Sequence, residues 1–264
     1  MSKSIYFFDS GVGGLTVLHR AMRMMPYEHY TYYADVEHAP YGDKSPKEVK
    51  KIVLSAFQQF NHSEVKACVV ACNTATSIVI NDLRALYDYP IIGMEPAIKP
   101  AKEISKGKKI IVLATALTLK EQKLRQLIQT LDIEDQVFFL PAPELVHSAE
   151  EFIFDSNDLR EMMMHKLAGI DLSEVGALVL GCTHFIYFKP MLQNFLPQHI
   201  ELVDGNGGTV RRLNSLITPT EESHIEPVDC ILSGYPIKSE FILPYINFCD
   251  KHNLNHPDHE GTPL

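Results

Sequence analysis

No two cysteines in this 264-residue chain are spaced C-x-x-C, and the five present, at 68, 72, 182, 230 and 249, form an odd set without framework spacing. Such a set excludes a disulfide scaffold and a zinc site, so reduced thiols and no metal are expected. Long hydrophobic runs are missing as well. Nothing approaches the roughly 18 apolar residues of a membrane span, and "MSKSIYFFDSGVGG" reaches Asp9 too soon for the core of a secretory signal. A cytoplasmic protein with no membrane partner is expected. Positive charge is scarce: 24 Lys and Arg stand against 33 Asp and Glu, a net charge of −9, which opposes a nucleic-acid surface. The "GVGG" turn is not G-x-G-x-x-G and has no acidic ribose partner, so no nucleotide is expected there. A pyridoxal enzyme needs a Schiff-base lysine in a recognisable setting, and no lysine sits at a strand end beside phosphate-cradling glycines; no cofactor is expected.

What the chain does have is ample apolar content, 45%, enough for one large α/β domain or two small ones. Apolar runs that read as buried parallel strands alternate with segments of helical period. In the first half the strands are 4–8, 30–35, 67–72 and 90–94; in the second they are 108–115, 136–142, 176–182 and 200–205. Helices are expected from "GGLTVLHRAMRMM", "SPKEVKKIVLSAFQQF", "LTLKEQKLRQLIQTL" and "SNDLREMMMHKLAGI", the second opening on a Ser with a Glu three residues later. This alternation predicts an α/β fold of two similar parallel-sheet lobes. The crossings fall at the Pro96 to Pro100 stretch and the "DGNGG" turn at Asp204, which puts 1–97 with 206–264 in the first lobe and 98–205 in the second. Beyond residue 218 the chain is expected to fold back through "FILPYINFCD" as a final helix and then fray.

Two strands end alike. "VVACNTATS" at 69–77 and "ALVLGCTHF" at 177–185 each pass from an apolar run to a cysteine followed by hydroxyl-bearing residues, which reads as a weak internal duplication. In parallel α/β sheets, ligands bind beyond the carboxyl ends of the strands. The residues there are Asp9, Ser10, Asp35, Cys72, Asn73, Thr74, Glu95, Thr115, Cys182, Thr183, His184 and Asp204. Thiols on opposite walls of one cleft suit the removal of a proton from one face of a carbon and its return to the other. The thiolate must be favoured for this, and a helix beginning at each cysteine would favour it through its dipole.

Four motifs, "FDSGVGGLTV" (8–17), "APYGDKS" (39–45), "ACNTATS" (71–77) and "LGCTHF" (180–185), in this order and spacing, resemble the glutamate racemases of the cofactor-independent aspartate/glutamate racemase family. The resemblance covers roughly residues 5–205. It implies two α/β lobes with the active site in the cleft between them, interconversion of L- and D-glutamate without pyridoxal phosphate or metal, supply of D-glutamate for peptidoglycan and cell-wall biogenesis, and a homodimer. It implies that Cys72 takes the proton from D-glutamate and Cys182 from L-glutamate, each thiol protonating the opposite face. By the same resemblance Asp9 and His184 assist proton transfer or orient the substrate ammonium, and Ser10, Tyr41, Gly42, Asn73, Thr74, Thr76 and Thr183 contact substrate; Glu150 fits an acidic position of the second lobe.

Each position also has an ordinary structural use. Asp9 is a favoured cap for the turn before the "GVGG" helix, His184 is one histidine among twelve, Tyr41 follows a proline in a turn, and Cys68 reads as core beside Cys72. Departures from the family pattern bear on specificity: Ala114 stands where glycine is usual, "PAPELVHSAEEF" lacks the cysteine common there, Gly205 replaces a frequent serine, and Phe185 and Ile186 replace Tyr-Pro. Two alternatives therefore stand beside the first reading: a racemase of aspartate or a hydantoin on the same two thiols, and a non-catalytic regulatory protein on this fold.

Overall fold

The computed structural model describes residues 3–221 and 227–255. Ten strands build two sheets: β1 (Ser4–Asp9), β2 (Tyr30–Ala34), β3 (Val65–Val70), β4 (Ile91–Gly93), β5 (Lys109–Ala114), β6 (Val137–Pro141), β7 (Val175–Leu180), β8 (Glu201–Val203), β9 (Asp229–Leu232) and β10 (Tyr235–Ile237). The first sheet runs β10-β9-β2-β1-β3-β4, the second β6-β5-β7-β8. Every pairing is parallel except β10 with β9. Leaving the last hairpin aside, both sheets follow one scheme, with the first strand of each set between the second and third. Even the irregularity repeats: the register shifts at Ser4/Ile5 where β1 meets β3 and at Lys109/Ile110 where β5 meets β7. The two-lobed α/β architecture thus carries an internal repeat.

Local sequence explains the helices well. In "SPKEVKK", Ser45 and Glu48 form the reciprocal capping box at the start of the helix Pro46–Phe57. The expected helix over 117–131 is instead two, Ala116–Lys120 and Gln122–Thr130, broken by extended backbone at Glu121. Its first piece stays at the cleft, because Thr115 and Thr118 hydrogen-bond Thr74 of the other lobe. The β9–β10 hairpin was not expected. Its turn, Ser233 and Gly234, has positive φ at both positions, the primed geometry that suits hairpins, and Pro236 is tolerated because β10 is an edge. The final helix is Leu243–Lys251, and the fraying expected after it falls on 256–264, outside the described residues.

One apolar cluster crosses between the lobes, running from Phe7, Leu15 and Leu18 to Leu145, Phe185, Tyr187 and Leu213; two further clusters centre one on each lobe, the first of them also taking in Leu117. A shared core of this kind fixes the lobes at the back of the cleft and leaves the strand ends to face each other at the front.

Candidate active site

One cavity is lined from both lobes: Ser10, Tyr41, Gly42, Cys72 and Thr74 on one wall, Thr115, Cys182 and His184 on the other, with Pro40, Asp43, Pro143 and Val146 around them. Four of these residues follow β1, β3, β5 and β7, so the carboxyl ends of the central strands of both sheets open into the same space. Each cysteine stands two residues past the third strand of its set, and the repeat therefore sets the two thiols facing one cavity.

Around Cys72 the support comes from backbone. Its Sγ caps the helix Asn73–Leu86, accepting the Ala75 N–H at 3.5 Å, and lies 3.7 Å from Ser10 Oγ. The surroundings do not favour the expected thiolate. Burial, reinforced by the negative charge of Asp9, pushes the Cys72 thiol up, against the Ala75 N–H and Ser10. Desolvation of a buried charge outweighs what one helix terminus returns.

Cys182 differs. No α-helix begins at this cysteine; a 3₁₀ run, Thr183–Phe188, follows it and Cys182 makes no side-chain cap. Instead its Sγ lies 3.7 Å from His184 Nδ1, and His184 Nε2 is 2.6 Å from Glu150 Oε1. Burial disfavours charge on this imidazole, but Cys182 and Glu150 outweigh it and raise His184 well above its ordinary value. Burial likewise works against an ionised Glu150, yet His184 and the Val12 N–H, 3.0 Å away, hold that carboxyl low. Glu150 ends the helix Pro143–Glu150 and stands behind His184, off the cavity wall.

Asp9 is fully buried. Its Oδ1 accepts the Gly11 N–H at 3.0 Å, the turn-capping use foreseen for it, and its Oδ2 accepts the Thr183 hydroxyl at 3.2 Å across the lobes. Burial moves it up to about 6, with His184 pulling the other way. The "GVGG" turn is explained by the same junction. A Cβ on Gly13 would come within 2.7 Å of the His184 backbone nitrogen, and one on Gly11 would run into the Glu150 carboxyl. These glycines let the β1 loop touch the second lobe rather than cradle a phosphate.

Not every expected contact residue faces this cavity. The Asn73 side chain donates to Met94 O at 3.1 Å, and the Thr76 hydroxyl donates to Val70 O and accepts the Met94 N–H; both line a second pocket with Glu95, Pro96 and Lys123. Pro143 and Val146 went unread because the helix that carries them was not foreseen, whereas Pro40 and Asp43 lie inside a motif that was, "APYGDKS". The departures at Ala114, Phe185 and Ile186 are all buried, and none lines the cavity. Among the described residues no group of three or more His, Cys, Asp or Glu is arranged to hold a metal ion.

Residues 16–213 match the family model described as Asp/Glu/Hydantoin racemase. A glutamate racemase of Halothermothrix orenii is 49% identical over 213 residues, 81% of this chain and 84% of that one. Among solved structures, glutamate racemase from Campylobacter jejuni subsp. jejuni superposes with a TM-score of 0.79 at 26% identity, covering 96% of this chain and 99% of that chain. Escherichia coli glutamate racemase in complex with L-glutamate and the activator UDP-MurNAc-ala gives the same TM-score at 28% identity, over 94% and 95%. With three quarters of its length inside the family model, the chain belongs to the Asp/Glu/hydantoin racemase family.

Proposed function

We propose that this protein interconverts L- and D-glutamate by a cofactor-independent two-base route, with Cys72 and Cys182 as the bases. The observation that carries the reading is a pair of thiols from equivalent strand ends lining one cavity from opposite lobes. With D-glutamate, the Cys72 thiolate takes the Cα proton and the Cys182 thiol delivers its own to the opposite face. The turnover ends with Cys72 protonated and Cys182 ionised, the state that accepts L-glutamate. Asp9, held near 6, serves the Cys72 proton, and the His184–Glu150 pair stabilises the Cys182 thiolate.

Substrate carboxylates fit the free N–H groups at the start of Asn73–Leu86, the Gly42 backbone, and the hydroxyls of Ser10 and Thr74, while Thr183 contributes by tying Asp9 across the lobes. Tyr41 closes the first-lobe wall, while Asn73 and Thr76 contribute by holding that helix start to Met94. The first lobe takes in 1–97 with 206–264 and the second 98–205. The enzyme acts as a cytoplasmic homodimer that feeds D-glutamate into peptidoglycan; no described helix is long and apolar enough to cross a membrane.

The test places L- and D-glutamate separately in D₂O with purified protein and no added pyridoxal phosphate. Circular dichroism follows optical activity and NMR follows exchange at Cα. Both enantiomers should racemise with deuterium incorporated, and Cys72→Ser and Cys182→Ser should each lose about 10³-fold or more. Racemisation of aspartate or a hydantoin in place of glutamate would keep the site and change the substrate; no exchange with any of them would leave the regulatory reading.

A further inference from the structure

Tyr41 lines the cavity, yet its hydroxyl proton is committed away from it, donated to Asp35 Oδ2 at 2.6 Å. Asp35 lies just past β2 and is only 2% exposed. It is held from three directions: its own N–H donates to Asp9 O, its Oδ1 is 2.8 Å from His38 Nδ1, and the same oxygen accepts the Ser233 hydroxyl at 3.4 Å. Ser233 belongs to the turn of the β9–β10 hairpin and also accepts the Glu37 N–H at 3.0 Å. The hairpin that extends the first sheet thus braces the carboxylate that orients a cavity residue.

Burial, and then Asp35, keep the phenol protonated far beyond neutral pH, and the charges of Cys72 and Asp9 push in the same direction. The phenol is 1% exposed on the first-lobe wall of that cavity. A phenol has a single proton to donate. With that proton on Asp35, the oxygen can meet a ligand only as an acceptor.

We propose that Asp35 is a positioning residue that fixes the Tyr41 hydroxyl as a hydrogen-bond acceptor, so that the first-lobe wall recognises the ammonium of an amino-acid substrate and disfavours the same dicarboxylate without it. The proposal rests on the glutamate reading. Released from Asp35, the hydroxyl would turn and donate to a carboxylate, which reverses the preference.

Titration calorimetry with DL-glutamate and with glutarate tests this on the wild type, Tyr41→Phe and Asp35→Leu, with Asp35→Ser in place of the leucine variant should that one not fold. Wild type should prefer glutamate. Tyr41→Phe should weaken glutamate about tenfold, the worth of one hydrogen bond to a charged group, and leave glutarate unchanged. The Asp35 variant should weaken glutamate similarly and bind glutarate several-fold more tightly, a change of ratio that a merely structural role would not produce. Equal loss of both ligands, or an unchanged ratio, in either position overturns the proposal. A wild type that racemises another amino acid overturns the glutamate reading alone, and the ratio is then measured with that amino acid and its des-amino analogue.

Discussion

Cys72 follows β3 and Cys182 follows β7 by the same two residues, on strands that share register and neighbours. Beyond that point the two halves part. Cys72 is served by a backbone N–H at the start of a fourteen-residue helix, with a buried carboxyl, Asp9, for company. Cys182 has no cap and is served by an imidazole that a carboxylate holds in place. A repeat can thus duplicate the position of a reactive group while its charge is managed by unlike means: a neutral dipole on one side, an ion pair on the other. On the first side burial and Asp9 outweigh the dipole and disfavour a thiolate; on the second the imidazole is raised by its partners and sets a buried positive charge beside the thiol.

After the cysteines themselves, His184 is the sharpest place to break this comparison. His184→Asn should lower kcat by about 10²-fold with KM little changed. Because L- and D-glutamate are equal in energy, kcat/KM must stay equal in the two directions, so the asymmetry is read in isotope effects. The primary deuterium effect from α-deuterated L-glutamate should exceed that from the D-enantiomer. Equal effects would mean that the imidazole serves both thiols.

A smaller loss should follow from closing the gap between the halves. Gly13→Ala sets a methyl group against the His184 backbone, where neither side can give easily. About a tenfold fall in kcat and about 1–3 kcal/mol of lost stability are expected, measured by steady-state kinetics and urea unfolding. Wild-type stability in this variant would show that the lobes are not in firm contact there.

Asp9 allows the comparison to be titrated. Its carboxyl moves from 3.8 in the unfolded chain to about 6 in the folded protein, so between those values the folded state keeps a proton that the unfolded state has released. Its contribution therefore favours folding at low pH and is lost as pH rises through that window, by about 3 kcal/mol in all. In urea unfolding from pH 4 to 7, Asp9→Asn should remove this downward contribution. An unchanged slope would place the proton elsewhere.

Much of this was legible in the residues. Apolar runs marked the eight parallel strands to within a residue or two, since buried parallel strands have few other ways to be written. The capping box at Ser45 and Glu48 marked a helix start, and the paired cysteine motifs marked the cavity. The β9–β10 hairpin was harder to read, because four residues beginning with Asp and ending at a Ser-Gly turn carry little period of their own and rely on β2 for pairing. The break at Glu121 escaped because it answers to Thr74 in the other lobe, a contact that no local window contains.

The sequence by itself determined which groups could react: two thiols, each at the end of a strand, with Asp9, His184 and a run of hydroxyls nearby. Those identities follow from short-range pattern. Tertiary structure alone decided their condition. It buried Asp9 until its proton was held to about 6, set Glu150 behind His184 rather than on the cavity wall, committed the Tyr41 proton to Asp35, and denied Cys182 the helix that Cys72 enjoys. The reason is physical: the charge state of a buried group depends on desolvation and on partners within a few ångströms, and here those partners are up to 174 positions away along the chain.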